Sequence, residues 1–302
     1  MHSGSLRRHR FLREDALVSD PVTSMISTFA LGDLVTLSGP DGSTATVALH
    51  GAHVVSWATA DGVERLFLSA RATIDGGTAI RGGIPVCFPQ FAGLGPLPKH
   101  GFARTATWEH RGAGVFALLV APDTWPGWPN ECELLLNIGL GPSTLSVSLT
   151  VCNRGITAFE FTGALHSYLS CDDVTRVRVS GLDGRTIQRG GEVDGDITFA
   201  DGQADVDVSV LRATGPVTVI SGSDSRLMLC AQTGFADVVV WNIGETLGAG
   251  MNDLGAGEWK SYVCVEAAAV GTPITVEPGT SWNGSQVLVA GVCRTRATAS
   301  IE

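Results

Sequence analysis

The sequence predicts an all-β protein, a large sandwich of antiparallel sheets, and three observations lead to this prediction. Turn signals such as Asp61-Gly62 and Asp183-Gly184 recur along the chain, and no amphipathic helix longer than about three turns is evident. Between the turns, short runs alternate apolar and polar residues with a period of two, at 44–49, 144–151, 175–179 and 206–210. We therefore expect many short strands and few helices.

The chain of 302 residues shows no linker and no internal repeat. This continuity favours one large domain over residues 26–302 rather than two modules. Residues 1–25 contain four arginines but no apolar run, so they do not read as a secretory signal. Acidic residues in the same stretch argue against a transit peptide. We expect residues 1–25 to be a disordered extension.

Composition limits the classes of partner. Lys and Arg number 20 against 30 Asp and Glu, a formal net charge of −10, which argues against binding to nucleic acid or to an anionic membrane. Seven cysteines without a C-x-x-C pair point to a reducing compartment. No apolar run approaches the ~18 residues of a membrane-spanning helix. The expectation is a cytoplasmic monomer.

A histidine lies on the polar face of one predicted strand. Alternation along 159–168 puts Phe159, Phe161 and Leu165 on one face, and His166 and Tyr168 on the other. A polar row beside a packed row suits a sheet that lines a cleft. From the residues alone, His166 is either an acid–base group or an ordinary histidine of a sheet.

A carboxylate ends another apolar strand. In the stretch 259–268, alternation separates Val263 and Val265 from Cys264 and Glu266. A carboxylate in such a place is costly unless it is paired or solvated. Glu266 is therefore either an acid–base group or one partner of an ion pair at the strand end.

Between these features and the N-terminus, the segment 81–104 concentrates glycine, proline and cationic side chains. It contains Arg81-Gly82-Gly83-Ile84-Pro85 and later His100-Gly101-Phe102-Ala103-Arg104. Glycine and proline set unusual backbone angles, and arginine has the planar fork that suits a phosphate. The alternative is that Arg81 and Arg104 only tie these loops to backbone carbonyls.

These segments resemble the aldose 1-epimerase family, and within it the branch of hexose-6-phosphate mutarotases (glucose-6-phosphate 1-epimerases). The resemblance covers nearly the whole chain after the N-terminal extension. Its most specific part runs from Leu68-Ser69 to Phe88-Pro89-Gln90-Phe91. The other matching segments are 51–57, 100–104 with Trp108, Trp125-Pro126, 165–168, 239–242, 263–267 and Pro278-Gly279. The fold implied is an antiparallel β-supersandwich of the galactose-mutarotase type, with the site on a concave sheet face.

The resemblance also implies roles for individual residues. His166 takes the general-acid position and Glu266 the general-base position of ring opening and closure. No metal and no cofactor is implied. The residues implied to bind the substrate are Arg81, Gln90, His100, Arg104, Asp205 and Trp241. Asp207 is an equal alternative to Asp205, and Trp241 is either a sugar-stacking or a core residue.

The function implied is the interconversion of the α and β anomers of a hexose 6-phosphate, with glucose 6-phosphate first. The alternatives are an aldose 1-epimerase acting on unphosphorylated hexoses and a non-catalytic carbohydrate-binding protein. Two departures from the family pattern bear on the pocket rim. Ile243-Gly244 follows Trp241-Asn242 where Pro-Trp is common, and 186–189 replaces a Tyr-x-Asp element.

Overall fold

The structure, a computed structural model, describes residues 23–29, 32–73, 78–199, 205–221 and 226–292. These residues form nineteen strands, one short helix α1 (Gly244–Gly248) and three single 3₁₀ turns, at Ala103–Thr105, Val174–Arg176 and Glu258–Ser261. The strands are β1 (Thr23–Phe29), β2 (Gly32–Ser38), β3 (Thr44–Ala48), β4 (His53–Ala58), β5 (Val86–Cys87), β6 (Glu109–His110), β7 (Val115–Val120), β8 (Cys132–Gly141), β9 (Thr144–Asn153), β10 (Phe159–Leu165), β11 (Tyr168–Ser170), β12 (Arg178–Ser180), β13 (Ile197–Thr198), β14 (Val206–Val210), β15 (Val217–Ile220), β16 (Arg226–Thr233), β17 (Asp237–Asn242), β18 (Tyr262–Val276) and β19 (Ser281–Val292).

The strands form three sheets, and every named pair of neighbours is antiparallel. One sheet has four strands in the order β1-β2-β3-β4. A second has six, in the order β14-β17-β18-β10-β5, with β11 also paired to β18. The third has nine, in the order β13-β12-β15-β16-β19-β9-β8-β7-β6. The prediction of an all-β, antiparallel fold is confirmed.

Alternating side chains hold the sheets together. In β9, Leu145, Val147, Leu149 and Val151 are buried while the residues between them are partly exposed, the pattern of a sheet with one packed face. One continuous buried cluster takes side chains from all three sheets, for example Val35, Leu149 and Val265. Burial of apolar surface on this scale is the main stabilising contribution to such a fold.

The fifteen-residue strand β18 is the central element for the site. It pairs with β17 along one edge and with β10 and then β11 along the other. Its first nine residues, Tyr262 to Val270, are all buried, because both faces of this part of the sheet are covered. Any polar side chain here needs a partner or a cavity.

One predicted strand is wrong in its first half. The stretch 175–179 alternates in sequence, but Val174–Arg176 forms a 3₁₀ turn and only Arg178–Ser180 is a strand. The reason is local, because the Asp173 carboxylate accepts hydrogen bonds from the backbone N–H and the hydroxyl of Thr175, at 3.0 and 2.7 Å. Such bonds favour a turn over an extended strand.

The first described strand can be compared with the domain start expected from the sequence. Strand β1 begins at Thr23, before the domain start expected at residue 26. Residues 1–22 lie outside the described residues, so the N-terminal extension stays a prediction. In the ranges that the structure describes, no helix is long and apolar enough to cross a membrane.

Candidate active site

A cavity of about 630 Å³ lies against one face of the six-stranded sheet. Strand β17 shows which face this is, because Val240 packs into the main core whereas Val239 and Trp241 line the cavity. Side chains of β14, β18 and the link between β10 and β11 complete this side. The other sides are formed by loops that include residues 78–81, 97–105, 125–126 and 251–253. A volume of this size suits a small-molecule ligand.

Strand register brings His166 and Glu266 together. Leu165 pairs with Ala267 and Tyr168 with Cys264, so His166 lies directly opposite Glu266. Opposite residues of an antiparallel pair project from the same face. His166 Nε2 and Glu266 Oε1 are 3.4 Å apart, and the two residues are 8% and 1% exposed. Two residues separated by 100 positions thus form one buried acid–base pair in the cavity.

Burial pushes both members of the pair toward their uncharged forms. Loss of water lowers the pKa of His166 well below its usual value, and the cationic neighbours Arg81 and Arg104 add to this effect. Loss of water likewise raises the pKa of the Glu266 carboxyl well above its usual value, with a contribution from Asp207. Burial therefore favours the form of the pair in which Glu266 holds the proton and His166 is neutral.

Tyr168 connects the pair to Arg81. The ring of Tyr168 stacks on the imidazole of His166, with centroids 4.8 Å apart and planes 10° apart. The Tyr168 hydroxyl accepts a hydrogen bond of 3.1 Å from Arg81 Nη1. Arg81 also donates from Nε and Nη2 to Asp253 Oδ2, at 3.2 and 3.1 Å. The Arg81 guanidinium lines the cavity, but a carboxylate already pairs with its charge.

His100 is held as a neutral hydrogen-bond donor. Its Nδ1 accepts from the backbone N–H of Ala92 at 3.2 Å and lies 3.2 Å from Cys87 Sγ. The neutral ring must then carry its hydrogen on Nε2. Burial lowers the pKa of His100 to about 3, so the ring stays neutral near pH 7. It meets the ring of His166 edge-on, with centroids 5.6 Å apart.

Arg104 and Lys99 are two further cationic residues that line the cavity. Arg104 Nη2 donates to the carbonyl oxygen of Lys99 at 2.7 Å, and Arg104 Nε is buried without a hydrogen-bond partner. Lys99 is exposed and lines the same cavity. In the described part of the chain neither cation forms an ion pair. Both are available to an anionic group of a ligand.

The structure shows which of the two alternative aspartates, Asp205 or Asp207, lies at the cavity. Asp207 lines the cavity, and its strand partner is Trp241. Trp241 meets His166 edge-on at 5.8 Å. Asp205 is exposed, lies before the first residue of β14 and does not line the cavity. The structure thus places the alternative residue, Asp207, where Asp205 was expected, because the strand begins only at Val206.

Gln90 is the other expected residue outside the cavity. It is 3% exposed, and its amide bonds the backbone N–H and carbonyl of Leu97, both at 2.8 Å. A further bond of 3.2 Å reaches the carbonyl of Ala92. Gln90 therefore braces the loop that carries Lys99 and His100. Arg81, His100, Arg104 and Trp241 all line the cavity, as expected of substrate-binding residues.

Sequence reasoning missed Asp253 and gave Tyr168 no role. The position of Tyr168, two residues after His166 on the same face, was a usable signal. Asp253 lies in a glycine-rich loop, 249–257, without periodicity, and nothing in the sequence connects it to Arg81. Within the described residues, no group of three or more His, Cys, Asp or Glu side chains is placed to hold a metal ion.

Comparison with protein families gives one match over most of the chain. The family described as aldose 1-epimerase matches residues 33–289. A protein of Cenchrus ciliaris is 33% identical over 293 residues, 89% of this chain and 88% of that protein. A protein of Escherichia coli strain K12 is 35% identical over 252 residues, 78% of this chain and 83% of that protein. Both are named "putative glucose-6-phosphate 1-epimerase".

A solved structure agrees with the fold. The crystal structure of a "putative mutarotase" from Salmonella typhimurium superposes with a TM-score of 0.80 at 28% identity. The match covers 91% of this chain and 95% of the other. The similarity of fold therefore extends over most of both chains.

Proposed function

The chain belongs to the aldose 1-epimerase family, and on that premise we propose that it interconverts the α and β anomers of a hexose 6-phosphate, glucose 6-phosphate first. The proposal depends above all on one observation, the buried pair His166 and Glu266, 3.4 Å apart in a cavity with unpaired cations. The relatives named as glucose-6-phosphate 1-epimerases support the same substrate.

The proposed reaction needs two proton transfers, one at each of the two oxygens bonded to C1. Glu266 removes the proton from the C1 hydroxyl, and His166 donates a proton to the ring oxygen O5. The C1–O5 bond breaks as a C1–O1 double bond forms, which gives the open-chain aldehyde. Rotation about C1–C2 and the reverse transfers close the ring on the other face. Because O1 and O5 are both bonded to C1, two groups at this short separation can reach both atoms.

The pair holds a single proton throughout this cycle. With the closed sugar, His166 is protonated and Glu266 is ionised; with the open chain, Glu266 holds the proton and His166 is neutral. Burial favours the uncharged forms, since it lowers the pKa of His166 and raises that of Glu266. The cycle therefore begins with transfer of the proton from Glu266 to His166, against the preference that burial gives the uncharged forms, and ring opening restores the uncharged pair.

The phosphate group is assigned to Arg104 and Lys99. Arginine can donate two charge-assisted hydrogen bonds to a phosphate, and Arg104 Nε is buried without a hydrogen-bond partner among the described residues. Arg81 lines the same cavity, but Asp253 already balances its charge. The role of Arg81 is to bind the sugar side of the substrate and to orient Tyr168 against His166.

We further propose a monomeric, cytoplasmic enzyme whose partner is a small sugar phosphate, without nucleic acid or membrane partners. The formal net charge of −10 is unfavourable for polyanions. Six cysteines of the described residues are free thiols, which fits a reducing compartment.

Exchange spectroscopy by NMR on equilibrated glucose 6-phosphate, with unphosphorylated glucose as the control, tests the function. The expected result is faster exchange between anomers for the phosphate ester alone. Equal acceleration of both sugars would assign the chain to unphosphorylated hexoses instead. If neither glucose 6-phosphate nor other hexose phosphates exchange faster, the non-catalytic carbohydrate-binding alternative stands.

A further inference from the structure

The hydrogen-bond ladder beside the acid–base pair is interrupted. Register places Ser167 opposite Val265, and the Val265 N–H donates to the Ser167 carbonyl at 3.2 Å. The return bond is not made, because the Ser167 N–H donates to Leu165 O at 3.1 Å. The His166 N–H also turns away, to Pro85 O at 3.0 Å. The Val265 carbonyl therefore lacks the donor that an unbroken antiparallel ladder would give it.

Gln286, on strand β19 of the opposite sheet, provides that donor. Gln286 Nε2 donates to Val265 O at 2.9 Å, and Gln286 Oε1 accepts from the Ser167 hydroxyl at 2.5 Å. Gln286 is 2% exposed and Ser167 is fully buried. One side chain thus bonds both residues that flank the break, and both bonds are shielded from water.

The position of Gln286 is unusual for an amide. Along β19 the buried row consists of Gly284, Gln286, Leu288 and Ala290, and it faces the main core. Burial of an amide costs free energy unless it is hydrogen-bonded, so packing alone would be served as well by leucine. What an apolar residue at this position could not do is bond to the backbone on both sides of the break.

We infer that Gln286 is a positioning residue for the acid–base pair. Ser167 directly follows His166, and Val265 directly precedes Glu266. By connecting these two neighbours, Gln286 fixes the spacing of the two backbone segments from behind, while the His166 and Glu266 side chains project into the cavity on the other face. This inference rests on the proposed function.

The connection through Gln286 controls the distance between the two backbone segments that carry His166 and Glu266. Proton transfer needs the donor and acceptor at hydrogen-bond distance from the reacting atoms, and a displacement on the order of 1 Å can lower the rate by about 10²-fold. A break in the ladder next to both catalytic side chains would otherwise leave their separation poorly fixed. Gln286 replaces the lost ladder bond with side-chain bonds from a second sheet.

The test compares Gln286→Leu with Asn153→Leu in the full chain. Asn153 is a matched control, because it is also 2% exposed and its amide donates to the carbonyls of Thr157 and Val276, at the far end of β18. In Gln286→Leu we expect kcat for glucose 6-phosphate to fall roughly ten- to hundredfold, with KM within about twofold of the wild type. Asn153→Leu should lower the thermal stability and leave kcat unchanged. Equal kcat in the two variants would overturn the inference.

A second readout does not depend on activity. Crystal structures of the wild type and Gln286→Leu give the separation of His166 Nε2 and Glu266 Oε1 directly. We expect a longer separation in the variant than the 3.4 Å of the wild type, and an unchanged separation counts against a positioning role. If the wild type accelerates no sugar, the proposed function fails, while this comparison still decides the role of Gln286.

Ser167→Ala covers the case in which Gln286→Leu does not fold. It removes one hydroxyl and keeps the bond between Gln286 and Val265, so it should lower kcat in the same direction but by a smaller factor. Unchanged kcat in a folded Ser167→Ala protein would overturn the inference.

Discussion

Arg81 and Arg104 line the same cavity, yet their charges are used differently. Asp253 and the Tyr168 hydroxyl occupy three of the five N–H donors of Arg81. Among the described residues, the side chain of Arg104 bonds only to the carbonyl of Lys99. A ligand phosphate can therefore recruit Arg104 without breaking an ion pair. The two arginines should affect different kinetic constants.

We predict that Arg104→Gln raises KM for glucose 6-phosphate about tenfold or more with little change in kcat, because a hydrogen bond to a charged group contributes about 1.5–3 kcal/mol. Arg81→Gln should mainly lower kcat, because it leaves Asp253 unpaired and releases Tyr168 from its contact. Steady-state kinetics separate the two effects. Arg178→Gln, which breaks an exposed pair with Asp196, is the control. Identical kinetic profiles for Arg104→Gln and Arg81→Gln would refute this division.

The raised pKa of the buried Glu266 carboxyl makes the stability of the protein depend on pH. Its raised pKa means that the folded state keeps a proton which the unfolded state releases above pH 4.5. The contribution of Glu266 to the stability should therefore fall as pH rises from 4.5 toward its folded-state pKa, by up to about 1.4 kcal/mol per pH unit. A glutamine at this position has no proton to lose.

We therefore expect Glu266→Gln to match the wild type in Tm near pH 4 and to exceed it increasingly as pH rises. Thermal unfolding followed by circular dichroism across this range measures the difference. The control is Glu277→Gln, which makes the same substitution at an exposed residue that does not line the cavity. A Tm gain of Glu266→Gln that is constant from pH 4 to 8 would contradict the account.

Single residues also show which features of the site could be predicted from the sequence and which could not. Alternation gave the correct face for His166 and Glu266, since it depends only on near neighbours. It could not separate Asp205 from Asp207, because both have the same parity and the choice depends on where β14 begins. Gln90 forms its bonds within its own loop, to Ala92 and Leu97. Gln286 instead bonds to Ser167 and Val265, which only the folded chain brings near.

At the scale of elements, the link from residue 81 to residue 85 shows why its glycines are needed. Gly83 has a φ of +59°, and a Cβ there would overlap the carbonyl oxygen of Val54 and the ring of His53. Its backbone is also bonded on both sides, since Gly83 N–H donates to Phe67 O and Gly83 O accepts from the Tyr168 N–H, at 2.7 and 2.9 Å. Steric change at Gly83 is therefore transmitted to Tyr168.

The matching prediction compares Gly83→Ala with Gly62→Ala. Gly62 also has a positive φ, +77°, but nothing lies within 4 Å of an added Cβ. Gly62→Ala should cost only the backbone strain, about 1–2 kcal/mol, whereas Gly83→Ala should cost clearly more and lower kcat as well. Denaturant unfolding gives the free energies. Equal losses of stability in the two variants would show that close packing around Gly83 is unimportant.

Local alternation in the sequence predicted some of the strands correctly and failed for others. The periods of the runs at 144–151 and 206–210 predicted β9 and β14 correctly, because these strands have one packed face. The 3₁₀ turn at Val174–Arg176 was missed, because the bonds from Asp173 outweigh the alternation. The meeting of His166 and Glu266 depends on the register of β10 and β11 with β18, which no local period encodes.

For the whole molecule, the arrangement of sheets explains how an acidic protein can place three cations, beside three carboxylates, around one cavity. The six-stranded sheet turns one face to the shared core and the other to loops that carry Arg81, Lys99 and Arg104. The formal charge of −10 is spread over the chain, while these three cations converge on one cavity. Local charge rather than net charge then governs binding of an anion inside the cavity.

The most direct test of the central claim is NMR exchange spectroscopy on glucose 6-phosphate with the wild type, His166→Ala and Glu266→Gln. Loss of a positioned acid or base should lower the catalysed rate by about 10²–10⁴-fold. We therefore predict faster anomer exchange with the wild type and near-background exchange with either variant. Exchange at the full wild-type rate in a folded His166→Ala or Glu266→Gln protein would contradict the account.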